Sequence, residues 1–222
     1  MVTLSSLPRA VAANLAGQAI RLFARFVTAA RADWRGCAPE PRQRVYFGNH
    51  TSNGDMPMIW AVLPPAVRRM TRPVAAADYW LKSPLRAFAG RDVFKAVLID
   101  RRPEVNDNPM EKIIAALDEG ASLIIFPEGK RNMGPDPLLP FKAGLYNIGV
   151  QRPDVDLIPV WIANLNAIMP KGEVIPLPLI CTVTFGAPVP VAEGEDKNAY
   201  LARASTALAA LRPDAPQAEV RA

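Results

Sequence analysis

Histidine and cysteine are scarce in this chain of 222 residues, which contains one histidine and two cysteines. Zinc sites in proteins are usually built from clusters of these two residue types, and the sequence shows no such cluster, so we expect no metal. Cys37 and Cys181 lie far apart and neither has a CxxC partner, which indicates ordinary reduced thiols. We therefore expect neither cysteine to take part in catalysis.

The N-terminal region also lacks a long apolar run. The longest uncharged stretch near the N-terminus is Ala10–Ile20, which is well short of the roughly 20 apolar residues that cross a bilayer. The first residues lack the basic start, the compact apolar run and the small-residue cleavage site of a secretory signal. The sequence therefore predicts neither a transmembrane helix nor export from the cytoplasm.

A third absence concerns covalent catalysis. The sequence has no GxSxG motif, which in hydrolases places a nucleophilic serine on a sharp turn, and neither cysteine lies in a nucleophile context. A covalent enzyme intermediate is therefore not required by anything in the chain.

The composition indicates one globular domain with a basic N-terminal segment. Hydrophobic residues make up 50% of the chain and charged residues 21%, which is enough for a sizeable core. The net charge is +5, and residues 1–35 supply +4 of it through five arginines and one aspartate, which are Arg9, Arg21, Arg25, Arg31, Arg35 and Asp33. Such a segment suits either nucleic acid or an anionic membrane surface.

The spacing of residues 8–30 predicts an amphipathic helix. Its polar side chains recur every three or four positions in one narrow stripe, made of Asn14, Gln18, Arg21, Arg25 and Thr28. A broad apolar face lies opposite, as in helices that lie in a membrane interface. The same pattern fits a helix packed on the core, and the sequence leaves both interpretations open. A nucleic-acid binder would interleave its cations with exposed aromatics, so we expect no nucleic-acid partner.

Apolar strands alternate with helical segments along the rest of the chain. The predicted strands are residues 44–48, 74–77, 97–99, 122–126, 157–162 and 180–185. The predicted helices are residues 56–62, 81–90, 110–119, 142–150 and 199–211. This alternation predicts an α/β fold, with a mixed, largely parallel sheet covered by helices. We expect a membrane-associating helix at 1–35, one α/β domain at 36–212 and a disordered tail at 213–222.

The single histidine ends an apolar strand and is followed five positions later by a carboxylate, in the sequence His50-Thr-Ser-Asn-Gly-Asp55. The end of a strand is where α/β proteins place their sites. A nearby carboxylate can orient the imidazole and stabilise its cation, which suits general-base activation of a hydroxyl. A lone histidine is more often structural than catalytic, so the pair taken alone is a weak signal.

A second polar group follows the predicted strand 122–126. A proline and a glycine turn there place Glu128, Lys130 and Arg131 on the same edge as His50 if the strands are parallel. An arginine in this position can bind a phosphate through two hydrogen bonds. Taken alone, the segment also fits an ordinary charged turn.

Two further loops carry cations after predicted elements. Residues 99–102 end a strand in two arginines, and residues 140–144 contain Lys142. Three basic loops at the ends of strands favour an anionic substrate.

These residues resemble the motifs of the glycerolipid acyltransferases, the family that includes 1-acyl-sn-glycerol-3-phosphate (lysophosphatidic acid) acyltransferase. His50 and Asp55 match its HxxxxD pair, and Arg101 closes a stretch similar to its GxxFIxR motif. Residues 126–131 match FPEGTR, and Pro159 matches the proline of a fourth motif. The four motifs occur in order over residues 44–162, which makes the resemblance specific.

The chain departs from the family pattern at three positions. Lys95 and Leu98 stand where GxxFIxR has glycine and phenylalanine, and Lys130 replaces the threonine of FPEGTR. These departures fall in the motifs that the family uses for the acceptor, so they leave the acceptor's identity open.

The resemblance implies transfer of a fatty acyl group from acyl-CoA or acyl carrier protein to the free hydroxyl of a lysophospholipid, with no other cofactor. It implies that His50 and Asp55 are catalytic. It also implies a phosphate-binding group made of Arg101, Glu128, Gly129 and Arg131. We add Lys130 and Lys142 as supporting cations, because they lie in the basic loops described above.

The favoured acceptor is 1-acyl-sn-glycerol-3-phosphate, which would give phosphatidic acid. Two alternatives remain: acylation of another lysolipid, such as a lyso-ornithine lipid, and a catalytically idle membrane-binding module. An idle module would have no physical need for the histidine, the carboxylates and the arginine of the motifs. We expect peripheral or monotopic attachment at the cytoplasmic face of an anionic membrane, because the acceptor is itself anchored there.

Overall fold

A seven-stranded sheet forms the centre of the residues that the computed structural model describes, which are 7–28, 30–100, 108–163 and 181–213, with side chains in the first range from residue 8 to residue 22. In chain order the strands are β1 Arg31–Trp34, β2 Arg44–Gly48, β3 Thr71–Ala76, β4 Val97–Ile99, β5 Ser122–Ile125, β6 Asp156–Ala163 and β7 Thr182–Phe185. Their order in the sheet is β1-β7-β6-β2-β5-β3-β4.

Helices lie on both faces of this sheet. They are α1 Leu7–Thr28, α2 Asp55–Val62, α3 Pro65–Met70, α4 Ala77–Trp80, α5 Pro84–Phe88, the π-helix Ala89–Val93, α6 Pro109–Asp118, α7 Gly144–Gln151 and α8 Lys197–Ala209.

The strands β6, β2, β5, β3 and β4 run parallel, whereas β7 runs antiparallel to β6 and carries β1 parallel to itself. The predicted α/β fold with a mixed, largely parallel sheet is therefore confirmed. We call the edge at which the five parallel strands end the carboxyl edge, and the opposite one the amino edge. Because β2 and β5 are neighbours, the segments that follow them meet at the carboxyl edge.

Apolar cores lie on both sides of the sheet. All five residues of β2 are buried, as expected for a central parallel strand covered on both faces. Tyr46 faces the core that contains Ile59 of α2, and the next residue, Phe47, faces the core that contains Leu117 of α6. The apolar run that predicts β2 is thus explained by its position between two helical layers.

Helix α1 packs on the protein through one face and exposes apolar side chains on the other. Ala13 is buried, and a Cβ atom at Gly17 would lie 3.3 Å from Trp60 of α2. On the far side Leu15 is 66% exposed and Leu22 is 60% exposed. The structure therefore shows packing on one face of the helix, and the membrane contact of the other face stays a prediction. Among the described residues, no helix combines the length and the apolar character needed to cross a bilayer.

In three places the sequence predictions miss an element, misplace its bounds or fall outside the described residues. The pattern does not predict β1, because two of its four residues are charged and the strand stays partly exposed. The helix predicted at 81–90 has the wrong bounds, because Ser83 and Pro84 form a helix start and α5 begins there. The tail predicted at 213–222 falls outside the described residues from 214 onwards and stays a prediction.

The close approach of α1 to α2 can be tested with Gly17→Leu. The new side chain would meet Trp60 and Val93, and overpacking of this kind lowers the free energy of unfolding by about 1 to 3 kcal/mol. Chemical denaturation measures the change. Ala19→Leu is the matched control, because residue 19 lies on the exposed side of the same helix. An equal loss in both variants would contradict packing through Gly17.

Candidate active site

The loop that carries the histidine is attached to the sheet by a buried amide. Asn49 follows β2 directly and is 2% exposed. Its Nδ2 donates to the Ile162 carbonyl at 3.1 Å, and its Oδ1 accepts from the Ile162 N–H at 2.8 Å. These two bonds tie the end of β2 to β6, so that the next residue, His50, leaves the sheet at the carboxyl edge.

The carboxylate of Asp55 holds the loop in a tight turn. Asp55 is the first residue of α2 and is completely buried. Its Oδ2 accepts from the backbone N–H groups of Thr51 at 2.6 Å and Ser52 at 2.8 Å, and lies 2.9 Å from Nδ1 of His50. The backbone bonds keep this oxygen in place beside the imidazole.

The imidazole of His50 is oriented from two sides. An ionised carboxylate only accepts hydrogen bonds, so the proton of the neutral ring is assigned to Nδ1 and the lone pair to Nε2. The ring also stacks on Phe126, with centroids 4.3 Å apart and planes 20° from parallel. The side chain remains 22% exposed. The arrangement can therefore accept a proton from a hydroxyl group at Nε2.

Glu128 lies under the histidine loop instead of facing open space. It is 2% exposed; its Oε1 accepts from the His50 N–H at 2.8 Å, and its Oε2 accepts from the Leu139 N–H at 2.9 Å. Burial raises the pKa of this carboxyl, and the two backbone hydrogen bonds oppose that shift without cancelling it. Both oxygens are occupied by the protein's own backbone, so the geometry differs from the phosphate contact that the family resemblance implies for Glu128.

Further backbone bonds join the loop after β5 to its neighbours. The Asn132 N–H donates to the His50 carbonyl at 2.6 Å, and the Lys142 N–H donates to the Pro127 carbonyl at 2.8 Å. The Asn132 side chain in turn bonds the backbone of Gly134 and Asp136. Residues 49–55, 126–136 and 139–142 thus form one connected group, which we call the site loops.

The site loops also carry three cations. Lys130, Arg131 and Lys142 are exposed, and the described part of the chain contains no carboxylate in an ion pair with any of them. Gly129 has a φ of +69°, and a Cβ atom there would lie 2.5 Å from Cε of Lys142. Glycine at this position therefore leaves room for the Lys142 side chain. Arg101 lies outside the described residues.

A metal centre has no basis in the described residues, because they contain no group of three or more histidine, cysteine, aspartate or glutamate side chains placed to hold an ion. The chemistry available at the carboxyl edge is that of an oriented imidazole, in loops whose cations form no ion pair with a described carboxylate.

Comparison with protein-family models matches residues 37–163, more than half of the chain, to a family described as Acyltransferase. The chain belongs to the acyltransferase family. The enzyme is an O-acyltransferase, and both the buried turn at Asp55 and the site loops fall within the matched residues. Comparison with curated proteins gave no match.

A similar solved structure is the crystal structure of the 1-acyl-sn-glycerophosphate (LPA) acyltransferase PlsC from Thermotoga maritima. The TM-score is 0.65 at 20% sequence identity, and the match covers 89% of this acyltransferase and 79% of that chain. At this identity the likeness shows a shared fold.

Sequence reasoning missed Asn49 and Asn132, although each is buried and bonded to the site loops. Each stands beside a motif, but an isolated amide has no spacing that could distinguish a buried bridge from an ordinary loop residue. The stacking of Phe126 on His50 was not predicted either, because the two residues follow different strands and lie far apart in sequence.

The bridging position of Glu128 predicts a stability effect. Glu128→Ala leaves two inward-facing backbone N–H groups without their acceptor, and an unsatisfied buried donor costs about 1 to 3 kcal/mol. We expect a loss of that size in the free energy of unfolding, measured by chemical denaturation, together with a shift of the His50 resonances in NMR spectra. Glu193→Ala, an exposed glutamate in a loop, is the control. Unchanged stability in Glu128→Ala would contradict the bridge.

Proposed function

We propose that this acyltransferase moves a fatty acyl group from an acyl thioester to the free hydroxyl of 1-acyl-sn-glycerol-3-phosphate and so forms phosphatidic acid. The observation that carries the proposal is the pair formed by His50 Nδ1 and Asp55 Oδ2 at 2.9 Å. The site loops that hold this pair also carry exposed cations, with which no described carboxylate forms an ion pair. The name of the similar structure, an LPA acyltransferase, is consistent with this acceptor.

The reaction needs one base and no covalent enzyme intermediate. Nε2 of His50 takes the proton of the acceptor hydroxyl while its oxygen attacks the thioester carbonyl carbon. The buried carboxylate of Asp55 stabilises the imidazolium that results, since the two groups lie within hydrogen-bond distance. When the tetrahedral intermediate collapses, the carbon–sulfur bond breaks, and the imidazolium returns the proton to the thiolate. The products are the ester and a free thiol.

The acceptor's phosphate would be bound by the cations of the site loops. Arg131 can supply a bidentate contact, with Lys130 and Lys142 as supporting charges. We include Arg101 and the backbone of Gly129 in this group from the family resemblance. The family resemblance implies a phosphate contact for Glu128. We propose a different role, in which its hydrogen bonds to the His50 and Leu139 N–H groups fix the two loops relative to each other.

The donor would be acyl-CoA or acyl carrier protein, and the reaction needs no other cofactor. An assay with purified protein, each labelled acyl donor and a panel of lysolipids tests the whole proposal. We expect labelled phosphatidic acid with lysophosphatidic acid as acceptor. A product only from another lysolipid, such as lyso-ornithine lipid, would reassign the acceptor. No transfer with either donor would favour a catalytically idle membrane-binding module.

Removing the base should abolish transfer in a folded protein. We expect His50→Ala to lower kcat by about a hundredfold to ten-thousandfold, which is the usual contribution of general-base catalysis, and Asp55→Asn to act in the same direction. Steady-state assays measure the rates, and circular dichroism checks folding. Asp33→Asn, at a partly exposed aspartate on β1, is the matched control. Near-normal turnover in folded His50→Ala would refute the mechanism.

The proposed phosphate contact predicts a selective change in substrate affinity. Arg131→Ala should raise the KM for the phosphate-bearing acceptor by about tenfold or more, because a charge-assisted hydrogen bond contributes roughly 1.5 to 3 kcal/mol. The KM for the donor should change less, and the two values need separate measurement because CoA also carries phosphates. Arg35→Ala, at an exposed arginine at the end of β1, should change neither. An effect confined to the donor would move Arg131 to the donor site.

We also propose that helix α1 places the enzyme on the cytoplasmic face of an anionic membrane. The support is the exposed apolar face of α1, with Val11, Leu15 and Leu22 on it, next to the arginine Arg21 on the polar stripe. Because the opposite face of α1 packs on α2, deleting the helix would uncover Trp60 and damage the fold. Point substitutions on the exposed face therefore test the membrane contact more cleanly.

The double variant Leu15→Ser, Leu22→Ser should weaken binding to anionic vesicles in a sedimentation assay, because it removes apolar area that would be buried in the bilayer. Activity on membrane-embedded acceptor should fall with it, and activity on a short-chain soluble acceptor should change little. Val150→Ser removes an exposed apolar side chain from α7 and serves as the control. Equal vesicle binding by the double variant and the control would exclude this face as the anchor.

A further inference from the structure

A second basic region lies at the amino edge, on the far side of the sheet from the histidine. There, a cleft of about 620 Å³ is lined by four cations and one acid, which are Arg69, Arg72, Arg91, Lys95 and Glu119. The cleft borders the starts of β3, β4 and β5. The four residues of β5 alone separate the two edges by about 13 Å, so this cleft is distinct from the site loops.

The cations of the cleft are largely unneutralised. Arg72 forms the ion pair of the group, from Nη1 to Glu119 Oε2 at 2.7 Å, and its Nε donates to the Lys95 carbonyl at 2.8 Å. Within the described ranges, no carboxylate forms an ion pair with Arg69, Arg91 or Lys95. Four like charges around one concavity repel each other, and an anion inside it would relieve that repulsion.

The backbone at Lys95 gives independent support. Its φ is +50°, the single positive value at a non-glycine residue among those described. Glycine adopts this left-handed conformation at no steric cost, and it is the residue that the GxxFIxR motif carries at this position. Here the chain accepts the strain of a long side chain, and that side chain lines the cleft. The carbonyl that Arg72 binds would be present with glycine as well, so the bond to Arg72 does not explain the lysine.

The segment that carries Arg91 also has an unusual backbone conformation. Arg91 belongs to the π-helix Ala89–Val93, a rare geometry that is frequently found at functional sites. The Ala96 N–H donates to the Gly90 carbonyl at 2.8 Å, which closes the turn between this helix and β4. Two uncommon backbone conformations within seven residues therefore present cations to the same cleft.

We propose that the cleft binds a soluble small molecule that carries a diphosphate group, such as a nucleoside diphosphate. The volume lies within the range of small-molecule sites. Four cations and one acid give the lining a net charge of +3. One phosphate carries about −1.5 to −2 at neutral pH, so two phosphates match the lining better than one. Arginine forks suit the planar, multidentate recognition of phosphate oxygens. The proposal is independent of the acceptor chosen for the acyl transfer.

The variant Lys95→Gly tests whether the lysine side chain contributes to ligand binding. It should leave the fold intact, because glycine adopts the left-handed backbone at no steric cost. Isothermal titration of the full chain with inorganic pyrophosphate, at fixed ionic strength, should give a dissociation constant at least tenfold weaker for Lys95→Gly and for Arg91→Ala. The thermal midpoint of Lys95→Gly without ligand should be unchanged or higher. Lys197→Ala, an exposed lysine on α8, removes the same charge elsewhere and should bind as the wild type does.

Two further measurements establish where the ligand binds. Arg131→Ala should retain pyrophosphate binding at the cleft, and ADP should show the same dependence on Lys95 and Arg91 as pyrophosphate. The proposal is overturned if Lys95→Gly and Arg91→Ala bind pyrophosphate as tightly as the wild type, if Lys197→Ala weakens binding equally, or if Arg131→Ala alone abolishes it. A dependence on Lys95 seen only with phosphatidylglycerol vesicles, and not with pyrophosphate or ADP, would assign the cleft to lipid headgroups and overturn the soluble ligand.

Discussion

The parallel pairing of β2 with β5 is the interaction on which the rest of the site depends. It brings together two chain segments whose key residues, His50 and Glu128, are 78 positions apart in sequence. Parallel strands end on the same side, so the segment after each must emerge at the carboxyl edge. The burial of β2 on both faces makes this pairing hard to shift, because a one-residue slip would move Tyr46 and Phe47 into the wrong cores.

Two buried carboxylates then fix the positions of the loops that follow these neighbouring strands. An unpaired buried charge is costly, but each of these carboxylates is bonded to backbone N–H groups, Asp55 within its own turn and Glu128 between two loops. The backbone bonds hold the anions without neutralising them. The imidazole can therefore be oriented by Asp55 while the cations of the neighbouring loop remain exposed for a substrate. The site loops thus contain two buried carboxylates bonded to the backbone, together with exposed cations that form no ion pair with a described carboxylate.

Helix α1 has one face packed on α2 and another that exposes apolar side chains. A small-residue face of Ala13 and Gly17 lets the helix approach α2 closely, and the ion pair between Arg9 and Asp92 is too exposed to account for that docking. The apolar side chains of Val11, Leu15 and Leu22 are more than half exposed, so the described residues do not cover them. A helix fixed to the domain on one side and apolar on the other would hold the enzyme at a set orientation on a membrane.

The amino-acid sequence by itself determined the α/β class, the positions of most strands, and the histidine and carboxylate that face each other, because these follow from local apolar runs and short spacings. The motif pattern also indicated which loops carry the cations. Only the tertiary structure decided that Glu128 bridges two loops, that Asn49 and Asn132 belong to the site, that β1 joins the sheet beside β7, and that the left-handed Lys95 lines a second basic cleft. Each of these features depends either on contacts between residues distant in sequence or on a single backbone angle. Neither dependence produces a periodic pattern in the sequence from which the feature could be predicted.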